Sequence, residues 1–160
     1  METEELIIGV RMIKSKYELS NIALFVDGPN MLRKEFSIDL RELKKRVCRY
    51  GRLVIAKVFI NQFAPEKLIE AIINEGFEPK VVLATKDEEG NDVDVALAVE
   101  AMEAILTKDI QIIALATRDA DFLPLIQKAK EYGKKVIVFG AEPGFSSSLK
   151  NSADIVEILA

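Results

Sequence analysis

The segment NIALFVDGPN, residues 21–30, carries an apolar run that stops abruptly at Asp27, a Gly28-Pro29 turn and Asn30. A run that is apolar on both faces belongs inside a sheet covered on both sides, because a half-exposed strand alternates apolar with polar residues. An acid at its tip either starts the turn or stands ready to bind something. The neighbouring segments decide between the two.

Comparable runs recur at LVIAKVFI (53–60), FEPKVVLA (77–84), IQIIALAT (110–117) and KKVIVFG (134–140), with a shorter one at DIVEIL (154–159). Between them, helix-period segments occupy about 39–50, 65–75, 92–106 and 121–132. This alternation predicts an α/β fold: a three-layer α/β/α sandwich around a central, mainly parallel sheet with right-handed crossovers. Ligands of such sheets bind beyond the carboxyl ends of the strands. At that edge, Asp27 and Asn30 follow the first strand, and Asp119 and Asp121 of ATRDADF follow the fourth.

A further acid lies on a helix. In NDVDVALAVEAMEAIL (91–106), Leu97, Ala98, Ala101 and Ile105 share one face, and Asp94 heads that stripe one turn earlier. A buried carboxylate without a partner is too costly to stay charged. If the first and fourth strands are neighbours, these carboxylates converge with an amide on one cleft. An oxygen-only donor set of this kind suits Mg2+ or Mn2+. Each residue also has a local reading: Asp121 as the N-cap of the helix beginning FLPLIQKA, with Pro124 in its first turn, Asn30 as a turn residue, and Asp92 as a cap or loop acid.

Composition narrows the chemistry. With no histidine and one cysteine, Cys48, the chain has no Ser-His-Asp or Cys-His machinery, no imidazole-bound zinc and no internal disulfide. Its 160 residues favour one globular domain. No apolar run approaches the roughly 20 residues that span a bilayer, so no membrane partner is expected. The acidic start, METEELIIGVRM, lacks the positive flank of a secretory leader, and a cytoplasmic location is expected. The net charge of −4 argues against bulk attraction to nucleic acid but leaves room for local basic patches.

Residues 1–20 read as an N-terminal helical extension, with Leu6, Ile7, Val10 and Ile13 near helical spacing. That helix either pairs subunits in a homodimer or packs on its own domain. KDEEGND (86–92) reads as a charged loop. In RELKKRVCRYGR (41–52), the cations opposite the Leu43 and Val47 stripe read first as a solvated face, and Cys48 as a small helix residue without chemistry. Serines 146–148 read as the cap of a short helix.

Taken in order, VDGPN, VDVALAVEAM and ATRDADFLPLI, with the ending GFSSSLKNSADIVEIL, resemble the NYN domains, a branch of the PIN-like metal-dependent ribonucleases. The resemblance covers residues 21–159, so the domain is set at 21–160. It implies a Mg2+- or Mn2+-dependent ribonuclease acting on single-stranded or structured RNA. Carried over by position, it implies catalytic roles for Asp27, Asn30, Asp94, Asp119 and Asp121, with the four aspartates holding metal. Arg33, Lys34 and Arg118 are the expected phosphate contacts.

The chain departs from the family pattern at several places. Thr117, Arg118 and Ala120 stand where Ser, Gly and Ser are common. Asn91 and Asp92 replace a Lys-Gly pair, and Glu100 replaces an Asp, leaving it at most an auxiliary acid.

Other folds fit less well. A Toprim-like domain usually opens with Glu and leaves Asp94 unexplained, while a haloacid dehalogenase-type phosphatase needs an acid where Pro29 stands. There is no Gly-x-Gly-x-x-Gly or P-loop. The alternative within the same fold is an RNA-binding or assembly module without catalysis.

Overall fold

The computed structural model describes residues 20–85 and 91–160. The expected N-terminal helix and most of the 86–92 loop therefore lie outside the described residues, while Asn91 and Asp92 already belong to a helix.

Six strands form one sheet: β1 (Asn21–Asp27), β2 (Arg52–Asn61), β3 (Glu78–Val82), β4 (Ile112–Ala116), β5 (Lys135–Gly140) and β6 (Ile155–Ile158). Their spatial order is β3-β2-β1-β4-β5-β6, and every pairing is parallel. The chain winds outward from β1 to β3, then returns to the other side of β1 for β4. The strand order therefore reverses between β1 and β4, and a crevice opens at their carboxyl ends. The first and fourth strands are neighbours in register, with Val26 beside Ala116.

Helices cover both faces: α1 (Gly28–Met31), α2 (Leu40–Val47), α3 (Glu66–Asn74), α4 (Asn91–Thr107), α5 (Leu123–Glu131) and α6 (Ser147–Ser152). Strand side chains alternate between faces. Ile22, Leu24 and Val26 point into one core with Leu40, Leu43, Val47 and Ile72 of α2 and α3. Ala23 and Phe25 point into the other, with Leu97, Ala101, Leu125, Ile126 and Leu149 of α4, α5 and α6. Burial of each large aliphatic side chain contributes about 1.5–3 kcal/mol, so the two cores supply the main drive to fold. The same two-residue period places Asp27, two residues past Phe25, on the α4 side of the sheet.

Local sequence sets the helix ends. Asp39 caps α2 by accepting from the N–H groups of Arg41 (2.9 Å) and Glu42 (3.4 Å). Two cations of that helix pair with acids, Arg41 with Glu75 and the half-buried Arg46 with Glu42 and Glu157. Cys48 is exposed. Ser146 caps α6, its hydroxyl accepting from the Leu149 N–H at 3.4 Å.

One capping assignment is corrected. Asp119, not Asp121, is the capping acid: its carboxylate accepts from the Asp121 N–H at 2.9 Å and closes a 3-10 turn over Ala120–Phe122. Helix α5 then begins at Leu123, with Pro124 in its first turn and no side-chain cap of its own.

Candidate metal centre

Three chain segments bring acids to the crevice between β1 and β4. Asp27 ends β1, Asp94 sits in the first turn of α4, and Asp119 follows β4 by three residues. One carboxylate oxygen from each lies within 4.8 Å of the other two. Asp27 is only 2% exposed, whereas Asp94 and Asp119 are half-buried and open the group toward solvent.

The buried acid has a buried partner. Thr117, immediately past β4, donates its hydroxyl to Asp27 at 3.1 Å and accepts the Asp119 N–H at 3.2 Å. One hydroxyl thus orients both acids. In the sequence Thr117 reads only as a replacement for the family's serine, without this role. The retained hydroxyl was the available signal.

Packing three carboxylates together raises the cost of charging them. Burial, opposed by the Thr117 hydrogen bond and reinforced by the Asp119 charge, raises the Asp27 pKa from its ordinary 3.8 to about 6. Asp94 is pushed up to about 8 by burial, the charge of Asp27 and a hydrogen bond with Asp119. The charge of Arg118 offsets only part of this cost at Asp27, and a divalent cation would supply the larger countercharge. The donors are oxygens throughout, with no nitrogen or sulfur among them, and the set fits a hard ion such as Mg2+ or Mn2+.

Asp121 lies outside this close group. It is exposed, and with Asp94 it lines a cavity of about 520 Å3 walled by Met102, Phe122 and Leu125 and flanked by Lys128. Asn30 is also committed: its side-chain oxygen accepts the Arg118 N–H at 2.8 Å, tying the turn after β1 to the turn after β4.

The three expected cations differ in availability. Arg33 is exposed, paired with Glu35 at 3.4 Å and hydrogen-bonded to the Pro29 carbonyl. Lys34 lies at the surface. Arg118 donates to the Asn30 carbonyl through Nε (3.3 Å) and Nη2 (3.1 Å), and to the Pro143 carbonyl through Nη1 (2.9 Å). Its guanidinium carbon lies 4.4 Å from the centre of the Phe36 ring. A second cavity of about 520 Å3, lined by Arg33, Phe36, Arg118 and Pro143 among others, opens on this side of the acids.

Glu100 points elsewhere. It pairs with Lys57 at 3.1 Å and Lys80 at 3.2 Å. Burial acts to raise its pKa, yet the two lysines hold it below the ordinary glutamate value. Asp92, at the start of α4, accepts the Thr85 N–H at 2.9 Å, so it acts as a local loop acid.

No helix among the described residues is long and apolar enough to cross a membrane. An uncharacterized protein of Methanocaldococcus jannaschii is 57% identical over 135 residues, covering 84% of this chain. The chain spans about half of that relative's length (53%). The crystal structure of a protein of unknown function from Vibrio parahaemolyticus superposes with a TM-score of 0.77 at 22% identity, covering 89% of this chain and 94% of that one. That likeness concerns the fold. The family model for the NYN domain matches residues 21–159, nearly the whole chain. NYN domains form a branch of the PIN-like nucleases, RNA-acting proteins that use divalent metals. With its three-acid crevice and parallel sheet, the chain belongs to the NYN domain family.

Proposed function

We propose that this protein is a metal-dependent ribonuclease that hydrolyses RNA phosphodiester bonds with Mg2+ or Mn2+. The observation that carries the reading is the meeting of Asp27, Asp94 and Asp119 at the point where the strand order reverses. Three oxygen ligands from three segments, one of them deeply buried, form a preorganised cation site. Held by Asp27, Asp94 and Asp119, a divalent ion would supply polarisation of a phosphoryl oxygen and a more acidic water.

The chain's own residues do the rest. Asp27 is the fixed anchor, held by Thr117, while Asp94 and Asp119 present oxygens toward solvent. Asp121, exposed beside Asp94, is placed to orient an incoming water or to take its proton. Asn30 holds the two turns together and thereby sets the spacing of Asp27 and Asp119. Arg33 and Lys34 contribute positive charge at the rim, and Arg118 keeps that rim in place with two guanidinium N–H groups still unassigned to a carbonyl. Those two N–H groups are suited to a flanking phosphate.

The test is a cleavage time course on end-labelled single-stranded RNA with Mn2+, comparing wild type with Asp119→Asn purified identically. Cleavage by the wild type and none by the variant, with unchanged circular dichroism, is the expected result. Equal cleavage by both overturns the assignment of the site. No cleavage by either, with structured RNA also tried, favours a binding module on the same fold.

A further inference from the structure

Helices α4 and α5 are neighbours on one face of the sheet, and both begin at the crevice that holds the acids. On α4, Asp94, Ala98 and Met102 follow one another at steps of four residues and so share one side of the helix. On the other wall stand Asp121, in the 3-10 turn, then Pro124 and Lys128 of α5, at steps of three and four. Between the two rows runs the cavity of about 520 Å3 that adjoins the acids. Phe122 and Leu125, only 2% and 5% exposed, form its floor.

The two ends of this groove differ. Asp94 and Asp121 mark the end at the crevice, Lys128 marks the other, and apolar side chains fill the interval. From Asp94 to Met102 it runs about 12 Å, at roughly 1.5 Å per helical residue. Apolar walls with a few polar groups, at a volume between about 300 and 1,000 Å3, are what pockets for small organic groups have in common.

The charges decide which part of a nucleic acid enters. A phosphate here would sit on apolar walls beside two carboxylates, losing hydration and meeting like charge. A nucleobase is neutral and planar. It gains by leaving water for Ala98, Met102 and Pro124, while its edge presents acceptors to the Lys128 ammonium. Lys128 pairs with Glu131 at 3.0 Å, but both side chains are well exposed and such a pair holds weakly. Its ammonium is therefore easily redirected.

We propose that the groove between α4 and α5 is a nucleobase subsite, taking the unstacked base of the nucleotide whose phosphate reaches the acids. Ala98, Met102 and Pro124 contact the base, and Lys128 meets its edge. The assignment rests on the RNA-cleaving reading of the crevice and names what is held beside the cut. A base paired and stacked in a duplex must leave its stack to enter.

The test is methyl NMR of the full chain carrying 13C-methyl methionine, with Mg2+ present, titrated with adenosine 5′-monophosphate or with ribose 5-phosphate, which lacks the base. Met102 lines the groove, whereas Met31 is fully buried in the opposite core and serves as reference. The adenine ring current should move the Met102 methyl signal upfield with saturation, leaving Met31 in place, and ribose 5-phosphate should not. Ala98→Phe, or Ala98→Val if the larger residue does not fold, fills the groove. It should weaken the nucleotide by about tenfold and leave Mn2+ affinity, measured by calorimetry, unchanged. A Met102 signal unmoved by millimolar nucleotide, or moved equally by ribose 5-phosphate, overturns the subsite. So does a signal that moves on dilution of a self-associating protein instead, which would place a second copy in the groove. RNA cleavage with Met102 unmoved would remove the subsite and keep the nuclease. A nucleotide-dependent Met102 shift without cleavage of any RNA would keep the subsite and remove the hydrolytic role.

Discussion

Asp27 and Thr117 are both nearly sealed from solvent, and each is the other's buried polar partner. A buried hydroxyl that orients a ligand carboxylate contributes without touching the ion, and loss of such a support typically weakens metal affinity by about 10–100-fold. Thr117→Val keeps the side chain's shape and removes the donor. Mn2+ titration of this variant by calorimetry should show a loss of that order, with the fold retained. Unchanged affinity would mean that Asp27 needs no orientation from Thr117. Asp27, Asp94 and Asp119 were legible in the sequence because each sits at a strand end or heads a core-facing stripe. Thr117 was not legible as a partner, because its role rests on β1 and β4 being adjacent, which only the sheet order reveals.

Among the elements, the turn after β1 is the tightest constraint. A β-carbon added at Gly28 would overlap the Phe59 carbonyl oxygen on β2, a main-chain atom that cannot swing aside, and would also press on Ile60. Gly28→Ala should therefore destabilise the protein by about 1–3 kcal/mol, measured by urea unfolding, and lower metal affinity in parallel by displacing Asp27. A variant of wild-type stability would show that β1 and β2 can separate freely at this point. Strand and helix positions were readable because buried parallel strands and stripe-bearing helices have separate periods. The start of α5 was misplaced because a 3-10 turn over Ala120–Phe122, capped by Asp119, precedes the helix and carries Asp121 within it. The exposure of Val95, Val99 and Leu106 on α4 was equally invisible, since an apolar helix reads as buried all round.

For the molecule as a whole, the crowded acids link stability to pH. In the unfolded chain Asp27 and Asp94 titrate near 3.8, whereas in the folded, metal-free protein their pKa values are raised to about 6 and about 8. The native state thus holds more protons between those values, and stability must fall as pH rises through that window. The contribution of these groups is fully favourable below about pH 4 and is lost by about pH 8. Calorimetric melting in chelator across this range should show a declining Tm, and saturating Mg2+ should restore it most at the alkaline end, where the carboxylates are free to bind. A Tm independent of pH, or a greater rescue at the acid end, would contradict the electrostatic picture. Composition foreshadowed this behaviour only in part: the absence of histidine left carboxylates to carry the chemistry, but their mutual crowding is a property of the folded crevice.

Arg118 gives the crevice a mechanical asymmetry. Its side chain braces the turn after β1 through Asn30, the segment after β5 through Pro143, and the ring of Phe36, while its own N–H is held by the Asn30 amide. Its covalent neighbour is Asp119, so that acid is mounted on a tripod with two feet in the connection from β1 to α2 and one beyond β5. The wall that carries Asp94, on α4, meets the tripod side through the acids themselves, where Asp94 shares a hydrogen bond with Asp119. The cleft therefore works as a vice: one jaw is clamped by Arg118, the other is seated on the sheet through Val93, Leu97 and Ala101, and the acids meet between them.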